Sequence, residues 1–274
     1  MTLIWVDGAL RDPANARVSI FDHGLTVGDG VFESVKTLDG RPFALTRHLA
    51  RLARSAAGLG LPEPDLDEVR RACTAVIGAN PAALGLLRIT YTAGLGPLAS
   101  SRGEDRPTLV VAAGEAHRRP DATAVITVPW RRNEHGALAG LKTTSYAENV
   151  IALARARQSA ATEALFANTA GLLCEGTGSN VFVVLDGRLH TPPLSSGCLA
   201  GITRELVLQW TDAQETDLTM DDLARAEEVF LTSSLRDVQA VRAVDGRPLA
   251  AAPGPVTAKA MRIFEERSAG DLDP

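Results

Sequence analysis

The chain has 274 residues, 45% of them hydrophobic, and a formal net charge of −5. That length exceeds what one hydrophobic core ordinarily serves, so one large or two smaller domains are expected. The acidic balance, with both signs scattered, excludes the basic face that a nucleic-acid partner requires. No run approaches the ~18 consecutive apolar residues of a membrane span, and the opening MTLIWVDGALRD lacks the basic start and apolar core of a secretion signal, which predicts a cytoplasmic protein acting on a small molecule.

In chain order, LIWVDG reads as a strand, RDPAN as a turn and RVSIFDHGLTVGDGVFESVKTLDG as the rest of a β-meander, because glycines punctuate its apolar runs. From Leu45 onward Leu49, Leu52, Ala53, Ala56 and Leu59 recur at helical spacing until Gly60 and Pro62 stop them, and a second helix fits Asp65 to Gly78. ALGLLRITYTAG and RPTLVVAAGE are strand candidates flanking the polar, Gly-rich loop GPLASSRGED. EAHRRPDA, holding Pro120, reads as a linker and divides a small domain, residues 1–118, from a larger one, 119–274.

TAVITVPW resumes strand character, a helix fits Ser145 to Ala161, and EALFANTAGLLCEGTGSNVFVVLDGRLHTPP reads as several antiparallel strands. GITRELVLQW, MDDLARAEE and VTAKAMRIFEERS have helical patterns, with EVFLTSS as a strand between the last two. No internal repeat appears, so the fold class expected is α/β, of the α+β kind, with two domains.

Cys73, Cys174 and Cys198 are odd in number and far apart, with no histidine at ligand spacing, so neither a disulfide nor a structural metal is expected. Lysine occurs only as Lys36, Lys142 and Lys259. A desolvated lysine can lose its proton and condense with a carbonyl, which arginine cannot do. Lys142 sits between the loop Asn133 to Gly140 and a predicted helix, beside Leu141 and two threonines, a setting that suits a Schiff base as well as an ordinary structural lysine.

Glu175 follows an apolar strand at the Gly-rich turn EGTGSN; it reads either as a turn acid or as the carboxylate that keeps a pyridine nitrogen protonated. Gly201, Ile202 and Thr203 open a predicted helix, where unpaired N–H groups and the dipole favour a phosphate. The hydroxyls of LTSS, residues 231–234, offer a second phosphate contact or simply form a turn.

Taken together, FDHGLTVGDGVFESVK, HLARL, LKTTSYAENVIALARA, CEGTGSNVFVV, HTPPLSSGCLAGITREL and AEEVFLTSSLRDVQAV resemble, in order and spacing, the class IV aminotransferases that depend on pyridoxal 5'-phosphate (PLP). That family includes branched-chain and D-amino-acid aminotransferases and aminodeoxychorismate lyase, and the resemblance covers nearly the whole chain. It implies PLP fold type IV, with two α/β domains, PLP in the cleft, and a homodimer whose interface lies near Gly24 to Gly30. By the same resemblance Lys142 is the Schiff-base lysine and the base that moves the substrate's α-proton, Glu175 the pyridine partner, and Arg51 the phosphate-binding arginine of the small domain. Leu199 takes the place of a residue packing on the ring, Ile202 and Thr203 that of the phosphate cradle, Ser234 with neighbouring Ser233 that of a phosphate-binding hydroxyl, and Tyr146 a position near the cofactor.

For substrate, D-amino-acid aminotransferases carry an arginine and a histidine, one residue apart, where this chain has Leu98 and Ser100, so that carboxylate trap is absent. The lyase pattern places an arginine in this loop, a place Arg102 takes only if the loop shifts, while Arg88 resembles an arginine lining the pocket of branched-chain enzymes. Either can grip a carboxylate bidentately, and a strand arginine is equally suited to a structural ion pair. KTTSYAENV resembles sequences labelled aminodeoxychorismate lyase, whereas GDGVFESVK and EGTGSN resemble the D-amino-acid enzymes. The expectation is amino transfer between an amino acid, D favoured, and a 2-keto acid; the alternatives are the lyase reaction giving 4-aminobenzoate and pyruvate, and branched-chain transamination.

Overall fold

The computed structural model describes residues 2–6, 8–103 and 106–274. They fall into two units: Met1–Arg118 with Leu141–Tyr146 and Leu272–Pro274, and Arg119–Gly140 with Ala147–Asp271.

In the first unit β1 (Ile4–Val6), β2 (Ala9–Arg11), β3 (Gly30–Leu38), β4 (Arg41–Pro42), β5 (Leu84–Thr92) and β6 (Thr108–Glu115) form an antiparallel sheet in the order β2-β1-β6-β5-β3-β4. Side chains alternate along β3, so Val31, Glu33 and Val35 face one way and Phe32, Ser34 and Lys36 the other. Helices α2 (Leu45–Leu59) and α3 (Leu66–Ala79) bury Leu49, Leu52, Val69 and Val76 with Val31, Val35, Leu87 and Ile89. Both helices begin about where their periodicity predicts, and Asp65 caps α3 by accepting from the N–H groups of Asp67 and Glu68, each at 3.0 Å.

The expected meander is corrected between β2 and β3. Residues 17–22 form no strand there beyond a single bridge from Asp22 to Leu95, and the short helix α1 (His23–Thr26) follows. Buried Asp22 decides the point: its carboxylate accepts from Gly24 N–H at 2.8 Å, Thr92 Oγ1 at 3.0 Å and Thr108 Oγ1 at 2.7 Å, which fixes a cap instead of a ladder.

In the second unit β7 (Ala122–Arg132), β8 (Glu163–Asn168), β9 (Leu173–Gly176), β10 (Asn180–Leu185), β11 (Arg188–Thr191), β12 (Gln214–Glu215), β13 (Glu228–Ser233) and β14 (Asp237–Val244) run in the order β12-β11-β10-β13-β14-β7-β8-β9, with β15 (Arg247–Pro248) on β14. Antiparallel pairing, expected for this stretch, joins β8 to β9 and β10 to β11, but β7 lies parallel to both β8 and β14. A parallel pair needs a crossover, and α4 (Ala147–Gln158), packed on β7 and β8, supplies it. The remaining helices are α5 (Ile202–Trp210), α6 (Met220–Ala224) and α7 (Pro255–Gly270). The last residues of MDDLARAEE, expected to be helical, leave α6 at Arg225, and Glu228 already belongs to β13. Leu165, Leu173, Val181, Val183, Leu231 and Val241 form the core, and Phe182 stacks on Phe230 with ring centroids 4.7 Å apart. No described helix is long and apolar enough to cross a membrane.

Candidate active site

Phe32 organises a cluster of candidate residues within the first unit. Its N–H donates to the Lys142 carbonyl at 3.0 Å, and the Lys142 N–H in turn donates to Ser55 Oγ at 3.2 Å, so the lysine's backbone is tied to β3 and α2. Three side chains meet the Phe32 ring: Lys142 Nζ at 4.5 Å and Arg88 Cζ at 3.3 Å from its centroid, and the Tyr146 ring, edge-on at 5.3 Å. Burial pushes the Arg88 guanidinium down to about 10, against the pull of Tyr146 and Glu33, and Nη1 reaches Ser34 Oγ at 3.4 Å. Among the described residues no carboxylate pairs with Arg88.

On the other face of β3, Glu33 is wholly buried and accepts from Arg51 Nε at 2.8 Å, Arg51 Nη2 at 2.7 Å and His48 Nδ1 at 2.7 Å. Burial alone would raise the Glu33 carboxyl, but the Arg51 and His48 charges and hydrogen bonds outweigh it and hold the group below the usual carboxylate range. Burial likewise pushes the His48 imidazole below its ordinary value, with Glu33 opposing. Arg51 is therefore oriented by a bidentate pair. The sequence reading passed over Phe32, Glu33 and His48, although two signals were present. An acid between Val31 and Val35 on a core-facing alternation demands a cation, and His48 and Arg51 sit three apart on one face of α2.

Arg102 is tied down elsewhere. Nε and Nη2 clasp Asp29 at 2.6 and 2.7 Å, while Nη1 and Nη2 donate to the carbonyls of Gly60 and Leu59 at 2.6 and 2.7 Å. Leu98, in the same loop, is 74% exposed; Glu104 and Asp105 of that loop lie outside the described residues.

Glu175, Leu199, Gly201, Ile202, Thr203, Ser233 and Ser234 belong to the second unit, whereas Lys142, Arg51, Tyr146, Arg88 and Arg102 belong to the first. Glu175 Oε2 accepts from Leu199 N–H at 2.9 Å, and Asn180 Nδ2 donates to the Leu199 carbonyl at 2.8 Å, which fixes that residue's backbone from both sides. The turn after Glu175 is pinned by buried Glu163, which accepts from Thr177 N–H at 2.9 Å and Ser179 Oγ at 2.8 Å. Gly201 is the N-cap of α5 and no side chain caps that end. A Cβ there would fall 1.9 Å from Asn180 Oδ1, so only glycine fits against Asn180 at this uncapped helix start, whose first-turn N–H groups suit an anion.

Ile202 and Thr203 are buried in that first turn, and Ser233 and Ser234 are half-buried at the end of β13. Beside them Thr232 Oγ1 is buried without a hydrogen-bond partner among the described residues. Within the second unit an uncapped helix start, hydroxyls at a strand end and a fixed carboxylate have the chemistry that a phosphate and a pyridine nitrogen call for, and within the first unit an amine and an oriented guanidinium have the chemistry that an aldehyde and a phosphate call for.

The family model for class IV amino-transferases matches residues 30–244. The chain is 34% identical over 259 residues to a putative branched-chain-amino-acid aminotransferase of Methanocaldococcus jannaschii, covering 89% of this chain and 88% of that one. It is 31% identical over 269 residues to the D-alanine aminotransferase of Bacillus licheniformis, covering 92% of each. A bifunctional aminodeoxychorismate lyase and D-amino acid transaminase of Mycobacterium tuberculosis is 31% identical over 276 residues, covering 92% of this chain and 94% of that one. Among solved structures, the Thermoproteus uzoniensis branched-chain aminotransferase with norvaline superposes with a TM-score of 0.91 at 28% identity, covering 98% of this chain and 95% of that one. The PLP-bound form of a hypothetical aminotransferase from Mycobacterium tuberculosis does so at 0.85 and 28%, covering 96% and 97%. The chain belongs to the class IV aminotransferase family, adopts PLP fold type IV, and has pyridoxal 5'-phosphate as its cofactor.

Proposed function

We propose that this chain moves an amino group between an amino acid, D favoured, and a 2-keto acid. One observation carries the reading: a lysine amine and an arginine without a carboxylate partner among the described residues share the Phe32 ring, as a substrate with an α-hydrogen beside a carboxylate requires. Lys142 holds the cofactor and moves the α-proton, Arg88 takes the substrate carboxylate, and Tyr146 borders the cofactor. Arg51, Gly201, Ile202, Thr203, Ser233 and Ser234 bind phosphate, Leu199 packs on the ring, and Glu175 holds the pyridine nitrogen. When bound, PLP draws electrons from the substrate's α-carbon. With four N–H donors committed within its own unit, Arg102 acts as a loop anchor.

Residues 1–118 act as the small domain and 119–274 as the PLP-binding domain. Two copies form the active homodimer: Ile20 and Leu25 are 71% and 67% exposed beside Gly24, an apolar patch suited to a second copy. The preference for D-amino acids is supported by the likeness to the Bacillus licheniformis D-alanine aminotransferase, and branched-chain transamination by that to the Methanocaldococcus jannaschii protein. A lyase reaction on aminodeoxychorismate is a second reading, supported by the bifunctional Mycobacterium tuberculosis relative.

The test mixes the yellow holoenzyme separately with D-alanine, L-leucine and aminodeoxychorismate. Bleaching of the visible band with release of pyruvate from D-alanine supports the reading. Bleaching by L-leucine alone makes the chain a branched-chain enzyme, and 4-aminobenzoate from an unbleached enzyme makes it the lyase.

A further inference from the structure

Arg132, at the end of β7, carries a half-buried guanidinium whose buried Nε faces Glu175. Nη1 donates to Glu148 and Nη2 to Asn149 Oδ1 at 2.6 Å, both residues in the first turn of α4. Asn149 Nδ2 passes the connection on, donating at 2.7 Å to the Thr177 carbonyl in the turn just after Glu175. The guanidinium also rests on an aromatic ring, with Cζ 4.1 Å from the Phe166 centroid.

Nε is the exception. It is buried with no hydrogen-bond partner among the described residues, and it stands 3.4 Å from Glu175 Oε1. An orphaned buried donor is costly and calls for a reason. Here the reason lies in the carboxylate it faces. Leu199 N–H takes Oε2, while Arg132 attracts Oε1 by charge across a gap that is not an aligned hydrogen bond.

We propose that Arg132 is a positioning residue for Glu175: clamped by Glu148 and Asn149, it fixes the carboxylate's orientation and favours its negative charge, so that Glu175 can hold a protonated pyridine nitrogen. The proposal rests on reading Glu175 as the partner of that nitrogen. Side chains one contact removed from a functional group commonly set its orientation in this way.

A double-mutant cycle on PLP affinity tests it. Apoprotein of the wild type, Arg132→Gln, Glu175→Gln and the double variant is titrated with PLP, and the Kd and the visible band are read. Arg132→Gln is expected to raise Kd about tenfold and alter the band in the Glu175 background, to have less than about a twofold effect in Glu175→Gln, and to be partly rescued by Arg132→Lys. The same factor in both backgrounds overturns the proposal and leaves the reading of Glu175 standing. Wild-type affinity, band and half-reaction rate in Glu175→Gln itself overturn that reading, and the proposal with it. If Arg132→Gln does not fold, Glu148→Gln, which loosens the clamp from a half-exposed position, must shift Kd in the same direction by a smaller factor; no shift refutes the proposal.

Discussion

The amine of Lys142 stands 4.5 Å from the centroid of the Phe32 ring, whose own backbone N–H donates to the Lys142 carbonyl at 3.0 Å. One residue thus fixes the lysine twice, through its main chain and beneath its side chain. The Phe32 face gives the amine an aromatic neighbour that neither donates nor accepts its proton, which suits a group that must exchange it.

Lys142→Ala removes that amine and leaves the proposed phosphate contacts in place. Turnover should fall by at least about 10²–10⁴-fold, while PLP still binds and is lost on gel filtration. Steady-state rates and the absorbance of the desalted protein decide it; turnover near the wild-type rate assigns the proton transfer to another residue.

Arg88→Met should raise KM for carboxylate substrates about 10- to 100-fold, the scale of losing a hydrogen bond to a charged group, with a smaller loss in Arg88→Lys. Arg102→Gln breaks an exposed ion pair worth about 1 kcal/mol or less and should leave KM nearly unchanged. Initial-rate kinetics on both variants decide between them: a large effect at Arg102 and none at Arg88 would exchange their roles.

Stability should fall with acid through Glu33 and His48. Glu33 is depressed from 4.5, so its contribution is present above that value and is lost as pH falls toward its folded value. His48 is depressed from 6.5 and buried, so below that value the unfolded chain takes up a proton that the folded one refuses, which also destabilises on acidification. Melting temperatures of the apoprotein should therefore decline from pH 7 downward, and His48→Asn should flatten the upper part of that decline. An unaltered profile in the variant would show that His48 does not titrate in this range.

Helix α2, which carries His48 and Arg51, has no side-chain cap from its own sequence; Ala44 at its start has a φ of 53°. Asp273 replaces the cap by accepting from Thr46 N–H at 2.9 Å and Thr46 Oγ1 at 2.5 Å. Asp273→Ala should cost about 0.5–2 kcal/mol, read as a lower denaturation midpoint at unchanged slope; an unchanged midpoint would mean the α2 terminus is satisfied by water.

Glutamates at Ile20 and Leu25 should turn a dimer into a monomer by sedimentation, because burying an unpaired carboxylate in an apolar interface is prohibitive. A variant that remains dimeric places the interface elsewhere.

Much of the chain could be read directly. The periodicity of Leu45 to Leu59 and the apolar run EVFLTS foretold α2 and β13, because helices and strands are written in local spacing. The pattern of GITRELVLQW foretold α5. The uncapped start of α2 is invisible locally, since its cap lies 227 residues away. Phe32, Glu33, His48 and Arg132 went unassigned for the same reason: each matters through partners distant in sequence. The commitment of Arg102 to Asp29 and the contact of Arg88 with the Phe32 ring likewise depend on pairings that folding alone creates. The sequence by itself determined the family and most of the elements, since these rest on motif order and local spacing. Only the tertiary structure decided which charges are paired, because pairing depends on distances between residues that chain order does not encode.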